Sequence, residues 1–306
     1  MFEGFAQARI ATDWGDIHAV HAGEGPPVLL LHGFPQTHGA WHRIAAGLAR
    51  SHAIVAADLP GYGDSTGLAP DPAHAAYSKR TMAAALVAVM AHLGFERFAV
   101  AGHDRGGRVA YRMALDHPHR VARLAVLDIV PTLEMAEMLD RGMALANYHW
   151  FFLAQPHPLP ERLIAADPDF YLMHTITSWL GRSARLDPAA LAEYSRCFRK
   201  PTVIRAACED YRAGMTIDLE HDRVDRAAER RIACPLLALW AEQGADGKVF
   251  DPLAIWRRWG DRVAGRAIAG GHFLMEEAPN ATLDALARFF LDEDGNQVSR
   301  SSPLPP

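Results

Sequence analysis

The sequence predicts an α/β protein: a mostly parallel sheet flanked by helices, with its strand–helix alternation interrupted by an inserted helical cap. Three observations predict it. Short continuous apolar runs alternate with amphipathic stretches over the first 130 residues and again near the C-terminus, as expected for strands buried on both faces. From Pro131 to His221 the pattern is instead helical, irregular and rich in aromatics, without a strong strand candidate. Finally, Gly102-His103-Asp104-Arg105-Gly106-Gly107 lies between an apolar run, Phe98 to Ala101, and an amphipathic helix pattern from Val109 to His117. That is the strand–turn–helix setting of a nucleophile elbow, in which a residue on a tight turn is pushed out above the sheet.

Composition sets the outer limits. With 306 residues, half of them hydrophobic and 22% charged, the chain can build one large core with an insertion. A net charge of −5 gives no footing for nucleic acid, and no stretch has the length of a membrane-spanning apolar run. The N-terminus has neither a basic nor a long apolar segment, so no secretory signal is expected and the cytoplasm is the default location. Cys197, Cys208 and Cys234 are widely separated and odd in number, which suits reduced core thiols rather than a disulfide framework or a metal site.

Taken in order, residues 2 to 9 and 16 to 22 alternate around Asp13-Trp14-Gly15-Asp16, an antiparallel hairpin at a sheet edge. Val28 to Leu31 is a buried strand leading into the His32-Gly33-Phe34-Pro35 loop. Trp41, Ile44, Ala45 and Leu48 follow at helical spacing, and Ala53 to Ala57 forms the next strand, closed by the turn-rich Asp58 to Gly63. A helix runs from Met82 to Leu93, preceded by Ser78 and ended by Gly94. The elbow comes next, then a strand from Leu124 to Leu127 with Asp128 at its end. The α/β pattern resumes after the cap with a strand from Pro235 to Trp240, a helix around Leu253 to Trp259, a weak strand near Arg266 to Ile268 and a last helix from Ala281 to Leu291. This gives a core of residues 1–130 and 222–292, a cap of 131–221, and a polar, proline-rich tail, 293–306, expected to be disordered.

In open parallel sheets the site lies at the carboxyl ends of the strands, and four candidates fall there: the His32 to Pro35 loop, Asp104, Asp128 and His272 in Gly270-Gly271-His272-Phe273. A carboxylate at the elbow cannot run serine-type acyl transfer. It can displace a leaving group at carbon and form an ester that water then cleaves. An acid at a helix start also serves as an N-cap, but that role does not call for the glycines crowded around Asp104. Arg105 and Arg108, three residues apart at the start of a helix, fall on one face, where their guanidinium forks can clamp a carboxylate or pair with acids such as Asp116 or Asp128. A clamp of this kind calls for an anionic substrate. His272 is placed to take a proton from water. Asp128 would hold its ring, a role for which the chain also offers Asp246.

The order of these residues, the His-Gly-Phe-Pro loop, the Asp elbow and the late Gly-Gly-His resemble the α/β-hydrolase superfamily. That resemblance implies the α/β-hydrolase fold, a mostly parallel eight-stranded sheet with an inserted helical cap. Within it, Gly102 to Arg108, Asp128, His149-Trp150, Trp179, Tyr211 and His272 look most like fluoroacetate dehalogenases. The resemblance implies a cofactor-free enzyme that converts a small halogenated acid to glycolate through an ester on Asp104, and a homodimer as the assembly. By the same resemblance, Asp104, Asp128 and His272 are catalytic, and Arg105 and Arg108 bind the substrate carboxylate. His149, Trp150 and Tyr211 would cradle the halide, the Phe34 and Arg105 backbone N–H groups would form the oxyanion hole, and Trp179 would narrow the pocket. Two other readings stay open at this level. Epoxide hydrolases share the aspartate and would use cap tyrosines, for which Tyr148, Tyr171, Tyr194 and Tyr211 are available; a non-catalytic receptor for a small acid would keep the pocket alone.

Overall fold

The computed structural model describes residues 1–242 and 251–291. Asp246 and the tail from 293 lie outside the described residues. Eight strands form one sheet: β1 (Ala6–Thr12), β2 (Gly15–Ala22), β3 (Pro27–Leu31), β4 (Ala53–Ala57), β5 (Phe98–His103), β6 (Val121–Leu127), β7 (Leu236–Ala241) and β8 (Val263–Ile268), in the order β1-β2-β4-β3-β5-β6-β7-β8. β1 pairs antiparallel with β2 and β2 with β4; every other pairing is parallel. The hairpin register closes Thr12 against Gly15, whose φ of 119° is open to glycine alone without strain.

Two apolar layers hold the sheet, because successive residues of a strand face opposite sides. Leu29, Leu31, Val55, Val100 and Val126 pack on one side with Met82, Leu86, Val109 and Met113 of the helices Lys79–His92 and Asp104–Asp116. Leu30, Ile54, Ala101, Leu127 and Leu239 pack on the other with Trp41, Ile44, Leu286 and Phe289. β3, β4 and β5 are buried along almost their whole length, which is why they read as unbroken apolar runs. β8 closes the sheet as a half-exposed edge strand, hence its weak signal.

Helix starts differ from the sequence pattern by a few residues. The first long helix begins at Lys79, where Ser78 Oγ accepts the Thr81 N–H at 3.2 Å. The elbow helix begins at Asp104 itself rather than at Val109, since Gly106 and Gly107 carry no apolar signal yet are helical. The stretch expected to be one helix around Trp41 to Leu48 is two short pieces, His38–Trp41 and Ala45–Leu48, in keeping with the low helix propensity of Gly39 and Gly47.

Between β6 and β7 the chain forms eight helices, from Thr132–Glu137 to Ile217–Ala227, and no strand. The last of these runs through the boundary expected between residues 221 and 222. Its Asp222 and Asp225 both pair with Arg112 of the elbow helix, Asp222 Oδ1 at 2.6 Å, so a charge cluster rather than a loop joins the insertion to the sheet layer. The three cysteines are buried free thiols, and no helix among the described residues is long and apolar enough to cross a membrane.

Candidate active site

β5 delivers the chain to Asp104 with φ 47°, a left-handed conformation that brings a Cβ against the following carbonyl and is uncommon outside glycine. The turn holds because the following helix presses onto the loop after β3: a Cβ on Gly106 would lie 2.3 Å from the His32 carbonyl oxygen. That contact brings the Phe34 N–H to Asp104 Oδ1 at 2.8 Å. The Arg105 N–H belongs to the first turn, where helical amides have no intrahelical acceptor. Burial pushes the Asp104 carboxyl up, but His272, His103, Arg105 and Arg108 outweigh it and hold the group below its ordinary value. Asp104 is therefore ionised at neutral pH.

Asp128 follows β6 with φ 51° and is buried. Its Oδ1 accepts the Ala241 N–H at 2.8 Å and its Oδ2 lies 2.6 Å from His272 Nδ1. An acceptor on Nδ1 fixes the tautomer with the proton there and leaves Nε2 as the basic nitrogen. Two further bonds aim the ring through its backbone. The His272 N–H donates to the Trp179 carbonyl at 3.1 Å, and His103 Nε2–H donates to the His272 carbonyl at 2.8 Å. Gly271 permits this approach, since a Cβ there would fall 2.1 Å from the Gly181 nitrogen.

The two arginines lie together on the Trp150 ring, Arg108 Cζ at 4.6 Å and Arg105 Cζ at 5.7 Å from its centroid, yet they are held differently. Arg108 donates through Nη1 to the Val130 carbonyl at 3.1 Å and to Thr132 Oγ1 at 3.0 Å, and it lines the cavity. Arg105 is wholly buried and does not line it; Asp210 engages its Nε and Nη2 at 2.9 and 2.8 Å. The expected picture of two forks presented to one ligand is thus modified: the fork of Arg105 already holds a carboxylate from the insertion.

His149 and Trp150, on the helix Tyr148–Leu153, and Tyr211, on the helix Pro201–Gly214, converge over the elbow. His149 is 4.6 Å from the Trp179 ring and 5.7 Å from Tyr211, centroid to centroid. Burial drives the His149 imidazole down to about 3, so it is neutral and carries one N–H. Burial and the charge of Asp104 raise Tyr211, so it keeps its phenol proton. His149 Nδ1 and Tyr211 Oη are both buried without a protein hydrogen-bond partner. Trp179 also contacts the His272 ring at 5.3 Å and Phe34 at 6.2 Å. A cavity of about 230 Å³ sits among Asp104, Arg108, His149, Trp150, Trp179 and His272, with Phe34 and Tyr211 in ring contact behind it.

The model of the alpha/beta hydrolase fold matches residues 26–279. The chain belongs to the α/β-hydrolase fold family. Among members of that family, a fluoroacetate dehalogenase from a Burkholderia species is 44% identical over 95% of this chain and 96% of its own length. A soluble epoxide hydrolase from Corynebacterium sp. (strain C12) is 32% identical over 90% and 93%. Among solved structures, a candidate α/β hydrolase from Nostoc sp PCC 7120 superposes with a TM-score of 0.93 at 52% identity, covering 95% of this chain and 99% of that one.

Within this α/β hydrolase, two contributors to the site carry no sequence signal of their own. His103 looks like one more elbow residue, and its bond to the His272 carbonyl spans 169 positions. Asp210 sits in a helix where acids are ordinarily solvated, and only its place beside Tyr211 could have drawn attention to it.

Proposed function

We propose that this chain is a hydrolytic dehalogenase that converts 2-haloacetates, fluoroacetate among them, to glycolate and halide through an ester on Asp104. The observation that carries this reading is the meeting of an ionised elbow aspartate, a cationic Arg108 in the same cavity, and buried donors at His149 and Tyr211 that lack protein partners. The similarity to a fluoroacetate dehalogenase supports the same substrate class. Arg108 and Arg105 bind the carboxylate. One Asp104 oxygen attacks the halogen-bearing carbon, the carbon–halogen bond breaks, and the halide leaves with the electron pair toward His149, Trp150 and Tyr211. Fluoride is a poor leaving group, and preorganised donors stabilise the charge as it develops.

In the second step His272 Nε2 takes a proton from water while Asp128 stabilises the imidazolium, and the hydroxide adds to Asp104 Cγ. The Phe34 and Arg105 amides receive the oxyanion. Collapse expels glycolate, which takes a proton from His272, and the Asp104 carboxyl returns its own proton to solvent. The balance is one water consumed and one hydrogen halide formed, with no cofactor. We assign the inserted helices, from Thr132–Glu137 to Ile217–Ala227, the part of a cap, and a homodimer as the assembly. The exposed Leu145, Leu163, Phe170 and Met173 on the insertion favour association.

A fluoride electrode assay on fluoroacetate, run beside a diol assay on styrene oxide, tests the reading. Halide release is expected; diol formation without halide release would replace it with the epoxide hydrolase reading, for which the cap tyrosines and the Corynebacterium relative speak. Of these tyrosines, Tyr211 makes ring contacts with both His149 and Phe34 and Tyr148 with His149, whereas Tyr194 is engaged by Glu276 at 3.1 Å.

A further inference from the structure

The helix Pro201–Gly214 carries two adjacent residues that reach the elbow from the insertion: Tyr211, and Asp210, which is wholly buried. Asp210 Oδ2 accepts Arg105 Nε–H at 2.9 Å and the Tyr62 hydroxyl at 2.7 Å. Its Oδ1 accepts Arg105 Nη2–H at 2.8 Å and also pairs with Lys79 Nζ. Arg105 Nη2 reaches the Asp210 carbonyl as well, at 2.9 Å. Lys79 in turn pairs with Asp218 at 3.1 Å, so two cations and two carboxylates balance inside the protein. The fit is close: a Cβ on Gly214 would lie 2.8 Å from Arg105 Nη2, and the guanidinium carbon stands 4.2 Å over the Tyr211 ring. One guanidinium nitrogen, Nη1, is buried with no protein partner.

Resting on the haloacetate reading above, we propose that Asp210 is a positioning residue for the reaction. By capturing the Nε–Nη2 fork it holds Arg105 back behind the cavity wall, with Nη1 alone free of a protein partner, and so sets where an incoming carboxylate lies relative to Asp104. An arginine with its fork available would grip the acid bidentately. That grip would strengthen the ground state without being aimed at the transition state, and a displacement of about 1 Å costs on the order of a hundredfold in rate. Asp210 therefore trades substrate affinity for alignment.

The test separates these two quantities. In Asp210→Asn the shape is kept and the charge lost, so Arg105 is released toward the cavity. Acetate, an unreactive probe followed by calorimetry, is expected to bind about threefold or more tighter than to the wild type, and the KM for chloroacetate to fall in parallel. At the same time kcat for chloroacetate is expected to drop at least tenfold. A merely structural role would lower the melting temperature and weaken acetate binding. Weaker or unchanged acetate binding, or an unchanged kcat, overturns the proposal. Tyr62→Phe, which removes one donor to Asp210 Oδ2 without changing charge, carries the same test should Asp210→Asn not fold, with shifts in the same directions but smaller. No shift there overturns it equally. Failure of the wild type to release halide would sink the dehalogenase reading instead, and acetate calorimetry still decides the role of Asp210.

Discussion

Replacing the Asp104 carboxylate by an amide of the same shape isolates the nucleophile. Asp104→Asn is expected to lower halide release by about a thousandfold or more while leaving the melting temperature within a few degrees, since Phe34 N–H keeps an oxygen acceptor. His272→Asn separates the two steps. In the proposed route the first needs only Asp104 and the halide donors and the second needs the base, so chloroacetate should leave a carboxymethyl ester on Asp104 detectable in the intact mass. An unmodified, inactive protein would count against the two-step route. Arg108→Lys keeps the charge and loses the planar fork that spans the Val130 carbonyl, Thr132 and the cavity. Steady-state kinetics should show a KM for haloacetates raised roughly tenfold, the loss expected for one charge-assisted hydrogen bond; an unchanged kcat/KM would remove Arg108 from carboxylate binding.

At the scale of elements, the site depends on how closely the elbow helix approaches the β3 loop and how the insertion is tied down. Gly106→Ala puts a methyl 2.3 Å from a carbonyl oxygen of that loop, and the backbone must move apart. A loss of about 3 kcal/mol is expected, seen as a melting temperature lower by roughly ten degrees. The tie is Arg112, which bridges the elbow helix to Asp222 and Asp225 on Ile217–Ala227. Burial holds the Asp222 carboxyl above its ordinary value although Arg112 pulls it back, so the arginine offsets part of the cost of this acid in the interior. Arg112→Met strands it and should cost about 3–5 kcal/mol in chemical denaturation. A cost under about 1 kcal/mol would mean that Tyr111, which donates to Asp222 Oδ2 at 2.8 Å, suffices.

For the molecule as a whole, one buried acid should shape stability against pH. Burial lifts Glu276 to about 8 in spite of bonds from Tyr194 and Gln36, and the acid lies where the loop after β3, the His272 loop and the insertion meet. Its folded form keeps a proton that the unfolded chain releases near the ordinary value of 4.5. Between those values the folded state binds more protons, so stability falls as pH rises and levels off above about 8. Glu276→Gln imitates the protonated acid and cannot titrate. Melting temperatures of wild type and variant should therefore diverge between about pH 5 and 8, with the wild type losing ground; parallel curves would show that Glu276 is not protonated in the fold.

The order of strands and helices, the inserted helical segment, the elbow and the place of Asp104, Asp128 and His272 beyond the carboxyl ends of strands were legible in the sequence, because each rests on local rules. Strands buried on both faces must be continuously apolar, glycines must stand where backbones touch, and a residue at a strand's carboxyl end is carried to the site by the sheet. Which charges meet in the interior could not be read that way. Arg105 and Arg108 have the same chemistry and nearly the same place in the chain, yet one is engaged by Asp210, 105 positions away, and the other lines the cavity. Long-range ion pairing depends on how the insertion packs on the core, and no spacing or propensity in the sequence encodes that distance.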